Sequence, residues 1–388
     1  MSVVKNKTIP FFKPSFSKLE RAYIADIFRH NLLSSGDGKY TKLASAFLEQ
    51  RHQVKKVLLT SSGTTALEMA VRLLDLPPGS EIICPAYTFS SSANAILMAN
   101  QLQVVFADID PLTLNIDPED VARKITEKTK AIMLVHYAGV ACDMAAFLEL
   151  AKIHQIELIE DAAQAIDAKW NDQYLGSIGS YGCLSFHDTK NIVSGEGGAL
   201  YINTGNTRDI ERAEVVREKG TNRSKFFRGQ IDKYTWVDVG SSYLPSDILA
   251  AVLYGQLQRI DQIQKARMRR WRRYESAFQA LAQTEAVRLP FIPSYATHNA
   301  HMFYLLCRSM KDRDELMQYL QTRGIKAFFH YIPLDTAPMG RRLGTTAQTA
   351  CKNSQKISQR IIRLPLYSGL TKRDQERIVQ TVYAYFSN

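Results

Sequence analysis

Between Lys55 and Asn203 the chain alternates short apolar runs with segments of helical period. VLLT (57–60) leads into TTALEMAVRLL, and EIICP (81–85) leads into NAILMA. LQVVFADI (102–109), AIMLVHY (131–137) and IELIED (156–161) follow, the last two separated by a helical stretch near Met144 to His154. GCLSF (182–186) and GALYIN (198–203) complete the series. Runs that are apolar at every position suit strands buried on both faces. Strands separated by helices are joined by crossovers, which makes neighbours parallel. The pattern predicts an α/β domain around a mostly parallel sheet of about seven strands.

Residues 217–247 lose this periodicity, and a long irregular stretch inside a compact domain is usually functional. From Ser246 a long helical pattern runs to about Gln283. After PFIPS a smaller unit begins: HMFYLLC (301–307) reads as a strand, Lys311 to Arg323 as a helix and IKAFFHYI as another strand. A helix from about Thr371 closes the chain. The expected division is a large domain over 1–250, then a linking helix and a smaller C-terminal α/β domain over 251–388.

Composition removes several function classes. The 388 residues are 45% hydrophobic and 22% charged, which is ordinary globular usage. The start, MSVVKNKTIPFFKP, is too polar for a signal peptide, and no apolar run reaches the ~18 residues of a membrane span. A cytoplasmic protein with no membrane contact is expected. The five cysteines contain no C-x-x-C pair and the eight histidines no H-E-x-x-H spacing, so a metal centre has no support. The net charge of +11 raises nucleic acid as a partner. The charges are spread, however, apart from KARMRRWRR (Lys265 to Arg273), which reads as a solvated helix face. The balance suits a small acidic substrate such as a nucleotide diphosphate, and no nucleic acid is expected.

In open α/β sheets ligands bind beyond the carboxyl ends of the strands. After VLLT, Gly63 and Thr64 open a helix, whose N-terminus either holds an anion or is simply capped. After EIICP stands Phe89, able to cover a planar ring or to fill the core. After IELIE comes Asp161, which caps the next segment or keeps a pyridine nitrogen protonated; Gln164 follows at i+3. After GCLSF come His187, Asp188 and Lys190. A phosphate loop of the G-x-x-x-x-G-K-[ST] kind needs its glycines before the lysine. Here Gly195, Gly197 and Gly198 follow it, so that reading fails. A lysine so placed can instead bond an aldehyde, and Ser185 can add a hydroxyl for a phosphate. An anion site, a ring cover, an acid for a ring nitrogen and a lysine for an aldehyde together specify pyridoxal 5'-phosphate (PLP).

With these residues in view, the sequence resembles the sugar-nucleotide aminotransferases of the DegT-type family, which have the fold type I PLP architecture. The matching segments are SSGTTALEMA, CPAYTFSSSAN, VHYAGVACDM, IEDAAQAI, SFHDTKN, GEGGAL and FHYIPL. The stretch EKGTNRSKFFRGQIDKYTWVDVGSSYLPSD is similar to the subgroup that makes dTDP-4-amino-4,6-dideoxygalactose. The resemblance implies that Lys190 bonds the cofactor, Asp161 partners the pyridine nitrogen and Gln164 lies near the ring hydroxyl. It also implies that Phe89 stacks on the ring and that Gly63, Thr64 and Ser185 cradle the phosphate. Ser242 stands where relatives carry an asparagine that reaches the phosphate from a partner subunit, and Asp335 where they often carry histidine. Some relatives have histidine at the lysine position and dehydrate their substrate; Lys190 favours transamination. The implied reaction takes L-glutamate and a dTDP-4-keto-6-deoxyhexose in a homodimer with shared sites. Arg223, Lys225, Phe226 and Arg228 in the aperiodic loop, with His330 and Tyr331, are the expected substrate contacts. Amination at sugar C3, another nucleotide, or a non-catalytic PLP-binding regulator are the rival readings.

Overall fold

Helices α1 (Lys18–Arg29) and α2 (Lys39–His52) precede the main sheet. Strands and helices then alternate: β1 (Lys56–Thr60), α3 (Gly63–Leu73), β2 (Glu81–Pro85), α4 (Ser90–Leu97), β3 (Gln103–Ala107), α5 (Pro118–Lys124), β4 (Thr129–Val135), α6 (Met144–His154) and β5 (Glu157–Asp161). A short hairpin, β6 (Lys169–Trp170) and β7 (Gln173–Tyr174), leads to β8 (Tyr181–Ser185) and β9 (Gly198–Ile202). The protein is described here from a computed structural model, covering residues 8–99, 101–344 and 350–387. Residues 1–7 of the polar N-terminal stretch lie outside the described residues.

The seven-stranded sheet has the order β1-β9-β8-β5-β4-β2-β3. Strand β9 is antiparallel to both neighbours, and every other pairing is parallel. The expected α/β class and mostly parallel sheet are therefore present. Successive side chains leave opposite faces, so each apolar run feeds two cores. Val57 and Leu59 pack with Leu48 of α2 on one face, while Leu58 packs with Ala66 and Leu67 of α3 on the other. Met133 joins the α3 side, and Ile132 and Leu134 pack with Phe147 of α6. The parallel arrangement puts the carboxyl ends of β1, β2, β4, β5 and β8 on one edge.

The second half of the chain contains α7 (Thr207–Arg217), α8 (Arg223–Phe227), α9 (Asp247–Leu257), α10 (Ile260–Gln283), β10 (Val287–Arg288), β11 (Ala296–Thr297), β12 (Phe303–Cys307), α11 (Met310–Thr322), α12 (Pro338–Arg342), α13 (Lys352–Arg360), β13 (Ile361–Leu364) and α14 (Lys372–Phe386). Strands β10, β12 and β13 form an antiparallel sheet in that order. Its core joins Trp271, Tyr274 and Phe278 of α10 to Phe303, Leu316, Ile362 and Ile378, and it also takes in Ile9. Residue 250, the expected division, lies inside α9, which packs on α1 and α2.

Four expectations need correction. IKAFFHYI is no strand: it runs extended with isolated bridges from Ile325 to Ile9 and from Phe328 to Arg363. It then turns at Tyr331, whose φ is 32°. The third strand of the small sheet is β13, hidden in IIRLPL. The long helix is two helices, because Arg259 leaves helical geometry at φ −118° and ψ 12°. The aperiodic loop contains the short helix α8. The basic cluster is not wholly a solvated face. Arg267 and Trp271 are buried, and Arg267 donates to the carbonyls of Ala300 and His301. All five cysteines are buried, and among the described residues no group of side chains is arranged to hold a metal.

Candidate active site

The β1–α3 turn leaves backbone donors free at the start of a helix. Ser62 caps α3 by accepting from the Thr65 amide, and Ala66 N donates to the Ser62 carbonyl. The Gly63 and Thr64 amides find no acceptor among the described residues. Two free N–H groups at the positive end of a helix dipole attract an anion. Ser185, at the end of β8, closes the other side: a Cβ on Gly63 would come within 2.8 Å of the Ser185 Cβ. Gly198 allows the same approach from β9, since a Cβ there would lie 2.3 Å from the Ser62 carbonyl oxygen. Thr64 Oγ1 is 2.7 Å from Ser91 Oγ, so α3 and α4 are joined at their first turns.

Asp161 ends β5 and is buried. Its Oδ2 accepts from Ser92 Oγ at 2.8 Å and its Oδ1 from the Ala163 amide at 3.1 Å. Among the described residues no cation forms an ion pair with it. Burial pushes its pKa up, and the bonds from Ser92 and Ala163 and the charge of Lys190 oppose that rise. Lys190 stands in the β8–β9 loop, which Gly195 turns back toward the sheet with φ +87°. The Lys190 amine has no hydrogen bond or ion pair among the described residues. Desolvation holds its pKa below the usual lysine value; Asp161 opposes this and Arg363 adds to it. Gln164 is fixed at both ends, accepting from the Ala138 amide at 2.8 Å and donating to the Tyr331 hydroxyl at 3.1 Å. The Phe89 ring is exposed at the start of α4, its centroid 6.2 Å from that of Tyr331.

The expected residues divide into two groups. Asp161, Gln164, Lys190, Phe89, Gly63, Thr64, Ser185 and Tyr331 meet along one sheet edge. His330 is buried behind Tyr331, stacked on it at 3.6 Å and within 2.7 Å of the Tyr137 hydroxyl. Arg223, Lys225 and Arg228 pair instead with Glu218, Glu211 and Glu214 on one face of α7 and its C-cap. Phe226 packs with Phe227 and Tyr234. Ser242 bridges Glu218, and the next carbonyl, of Tyr243, accepts from Ser61 beside the β1–α3 turn. His187 turns toward Thr189 Oγ1 at 2.9 Å and Glu196 at 3.7 Å. Asp335 is buried and accepts from the Cys351 amide, so it anchors the start of α13.

Sequence reasoning missed the support behind Asp161. Glu160 and His136 are both fully buried, with His136 Nε2 2.9 Å from Glu160 Oε2. Glu160 also accepts from the amides of Gly176, Ile178 and Gly179 at 2.6 to 2.7 Å. His136 Nδ1 accepts from the Cys142 amide, which leaves the ring proton on Nε2. Ser92 was also missed, although it lies in the first turn of α4, three residues after Phe89. Arg363 is hidden in an apolar strand. Only the adjacent Asp161 gave any signal in the sequence.

These groups fit pyridoxal phosphate. Among the described residues two amides at a helix start lack acceptors, a buried carboxylate lacks a cation, and an amine with a lowered pKa lacks a partner. The fold and this set of side chains define a fold type I α/β enzyme. The chain belongs to the DegT/DnrJ/EryC1/StrS aminotransferase family, whose match spans residues 14–383. It is an aminotransferase, and its cofactor is pyridoxal phosphate. It is 32% identical to a GDP-perosamine synthase of Vibrio cholerae, over 98% of this chain and 99% of that one. It is 31% identical to the spore coat polysaccharide biosynthesis protein SpsC of Bacillus subtilis, over 97% of each. The crystal structure of the aminotransferase TlmJ from Streptoalloteichus hindustanus superposes with a TM-score of 0.88 at 27% identity, covering 98% of this chain and 99% of that chain.

Proposed function

We propose that the protein transfers the amino group of L-glutamate to C4 of dTDP-4-dehydro-6-deoxy-D-glucose, giving dTDP-4-amino-4,6-dideoxy-D-galactose and 2-oxoglutarate. The observation that carries the transamination is the desolvated Lys190 amine, without a partner among the described residues, whose charge acts on the buried Asp161. The particular sugar rests on the similarity of residues 218–247 to the enzymes that make it.

Asp161 would hold the pyridine nitrogen, Gln164 the ring hydroxyl and Phe89 one face of the ring. The Gly63 and Thr64 amides, with Ser185 and Ser242, would take the phosphate. Bound there, the cofactor supplies an electron sink for the carbon that loses its proton. Lys190 Nζ takes that proton from the donor's Cα and returns one, first for the amino acid and then in reverse for the sugar. Its lowered pKa keeps the amine available as a base nearer neutral pH. The tyrosines and His330 around Tyr331 exclude water from this step. The smaller C-terminal unit supplies His330 and Tyr331 to this wall and the large unit Tyr87 and Tyr137, and the separation of the two units is part of the proposal. The site is proposed to be completed in a homodimer by the partner's Ser242 segment, in the cytoplasm. The α8 cations become substrate contacts only by exchanging their α7 carboxylates for phosphates.

A GDP sugar is the second reading, favoured by the likeness to GDP-perosamine synthase. The purified protein is incubated with L-glutamate and either the dTDP or the GDP 4-keto-6-deoxy sugar. NMR of the product then locates the nitrogen and its configuration. An axial C4 amine on the dTDP sugar supports the proposal; turnover of the GDP sugar alone, or amination at C3, refutes it.

A further inference from the structure

The Lys190 amine makes no hydrogen bond or ion pair among the described residues, so its long side chain is placed by the backbone that carries it. Of the residues beside it, His187 and Asp188 are half-buried and Thr189 is exposed, whereas Asn191 is buried. Asn191 Nδ2 donates to the Asn299 carbonyl at 2.8 Å and to Gln264 Oε1 at 3.1 Å. Gln264 Nε2 donates to the Ile166 carbonyl at 3.0 Å, so backbone acceptors fix which end of each amide is nitrogen. Asn191 Oδ1 is therefore an acceptor, and it meets His301 Nδ1 at 3.1 Å. A carbonyl oxygen cannot donate, so the His301 proton sits on Nδ1. Burial and the charges of Lys190, Arg267 and Arg363 hold the pKa of His301 well below the ordinary histidine value, so the ring carries that one proton only. Among the described residues His301 is the one donor to Asn191 Oδ1.

His301 is itself held. Arg267 of α10 donates to the carbonyls of Ala300 and His301 at 3.2 and 2.6 Å, and Trp271 Nε1 to that of Met302 at 3.1 Å. Asn299 Nδ2 donates to the carbonyls of Gln164 and Ile166, both at 2.9 Å. One short segment, 299–302, thus joins α10, the loop that carries Gln164 and, through His301, the residue next to Lys190. Proton transfer needs the lysine amine within hydrogen-bond reach of the donor's Cα, and a misplacement of about 1 Å costs about 100-fold. We propose that His301 is a positioning residue for transamination: its Nδ1–H holds Asn191, and Asn191 fixes the root of Lys190 relative to Gln164.

The inference rests on Lys190 as the residue that bonds the cofactor, and its test can fail separately from that reading. Pyridoxamine phosphate, which has no aldehyde, probes the cofactor cradle without Lys190; pyridoxal phosphate probes both. Each is mixed with full-length protein freed of cofactor, with tryptophan fluorescence reporting binding and the visible absorption band reporting the bond to lysine. H301F fills the place of the ring without a donor. It is expected to bind pyridoxamine phosphate as the wild type does, yet to form the band about 100-fold more slowly. H301N sets an amide N–H near the Nδ1 position and recovers the rate to within about tenfold. In holoenzyme mixed with L-glutamate, H301F lowers the limiting rate of band loss and leaves the half-saturating concentration unchanged. Adding N191A to H301F slows band formation no further than the worse single variant, because both act on one contact. Unchanged band formation in H301F overturns the assignment, as does failure of H301N to recover it. Additive losses in the double variant, or pyridoxamine phosphate binding that weakens in step with the rate, overturn it too. A wild-type protein that binds both phosphates without forming the band refutes the role of Lys190, and that of His301 with it.

Discussion

Replacing Glu160 by glutamine tests the buried network that carries Asp161. Glu160 receives four donors: Ile178 N and Gly179 N on Oε1, Gly176 N and His136 Nε2 on Oε2. An amide keeps one oxygen and gains an NH2 group. Whichever way it is placed, two of the four donors then face another donor. His136 cannot escape by moving its proton, because Nδ1 would then confront the Cys142 amide. A buried donor left without an acceptor costs about 1–3 kcal/mol. Two of them predict a loss of about 4 kcal/mol, a large share of the ~5–15 kcal/mol that stabilises a typical protein. Urea unfolding of apoprotein and variant, each followed by tryptophan fluorescence and circular dichroism, measures the loss as a lower midpoint. Affinity for pyridoxal phosphate should fall too, since Asp161 shares the strand end. A loss below about 1 kcal/mol would refute the reasoning.

Gly63→Ala places a Cβ 2.8 Å from the Ser185 Cβ; overpacking of about 1–3 kcal/mol should appear as a lower urea midpoint and weaker cofactor binding by fluorescence titration. Asp161→Asn should flatten the pH dependence of apoprotein stability. A folded pKa raised by burial makes the folded state hold its proton more tightly, so stability falls as pH rises from the unfolded carboxylate value through the folded one. The variant loses that fall and is no less stable at neutral pH by urea midpoint. Because Lys190 has a lowered pKa, its amine in apoprotein should react with an amine-directed ester at lower pH than surface lysines, as read by peptide mass spectrometry.

The strands of the main sheet were legible because each carries a short, mostly apolar run, and a sheet covered on both faces buries such runs. The placement of the β1–α3 turn, Asp161 and Lys190 at one edge was legible because parallel strands deliver their carboxyl ends there. What could not be read was pairing across the chain. The cations of α8 looked free because their partners Glu211, Glu214 and Glu218 become one face only when α7 is wound. FFHYI has strand composition, yet Phe328 to Tyr331 bends into the site, and the ladder goes to the shorter IIRL. Arg363 and the Glu160–His136 pair stand in apolar runs, where sequence gives no sign of which neighbour they meet.

The central claim is that Lys190 is the cofactor's covalent partner. Borohydride reduction of the holoenzyme, followed by peptide mass spectrometry, locates the attachment directly. The account predicts the pyridoxyl group on the peptide containing Lys190 and none after Lys190→Ala. Attachment at another lysine in the wild type, or undiminished turnover of Lys190→Ala, would contradict it.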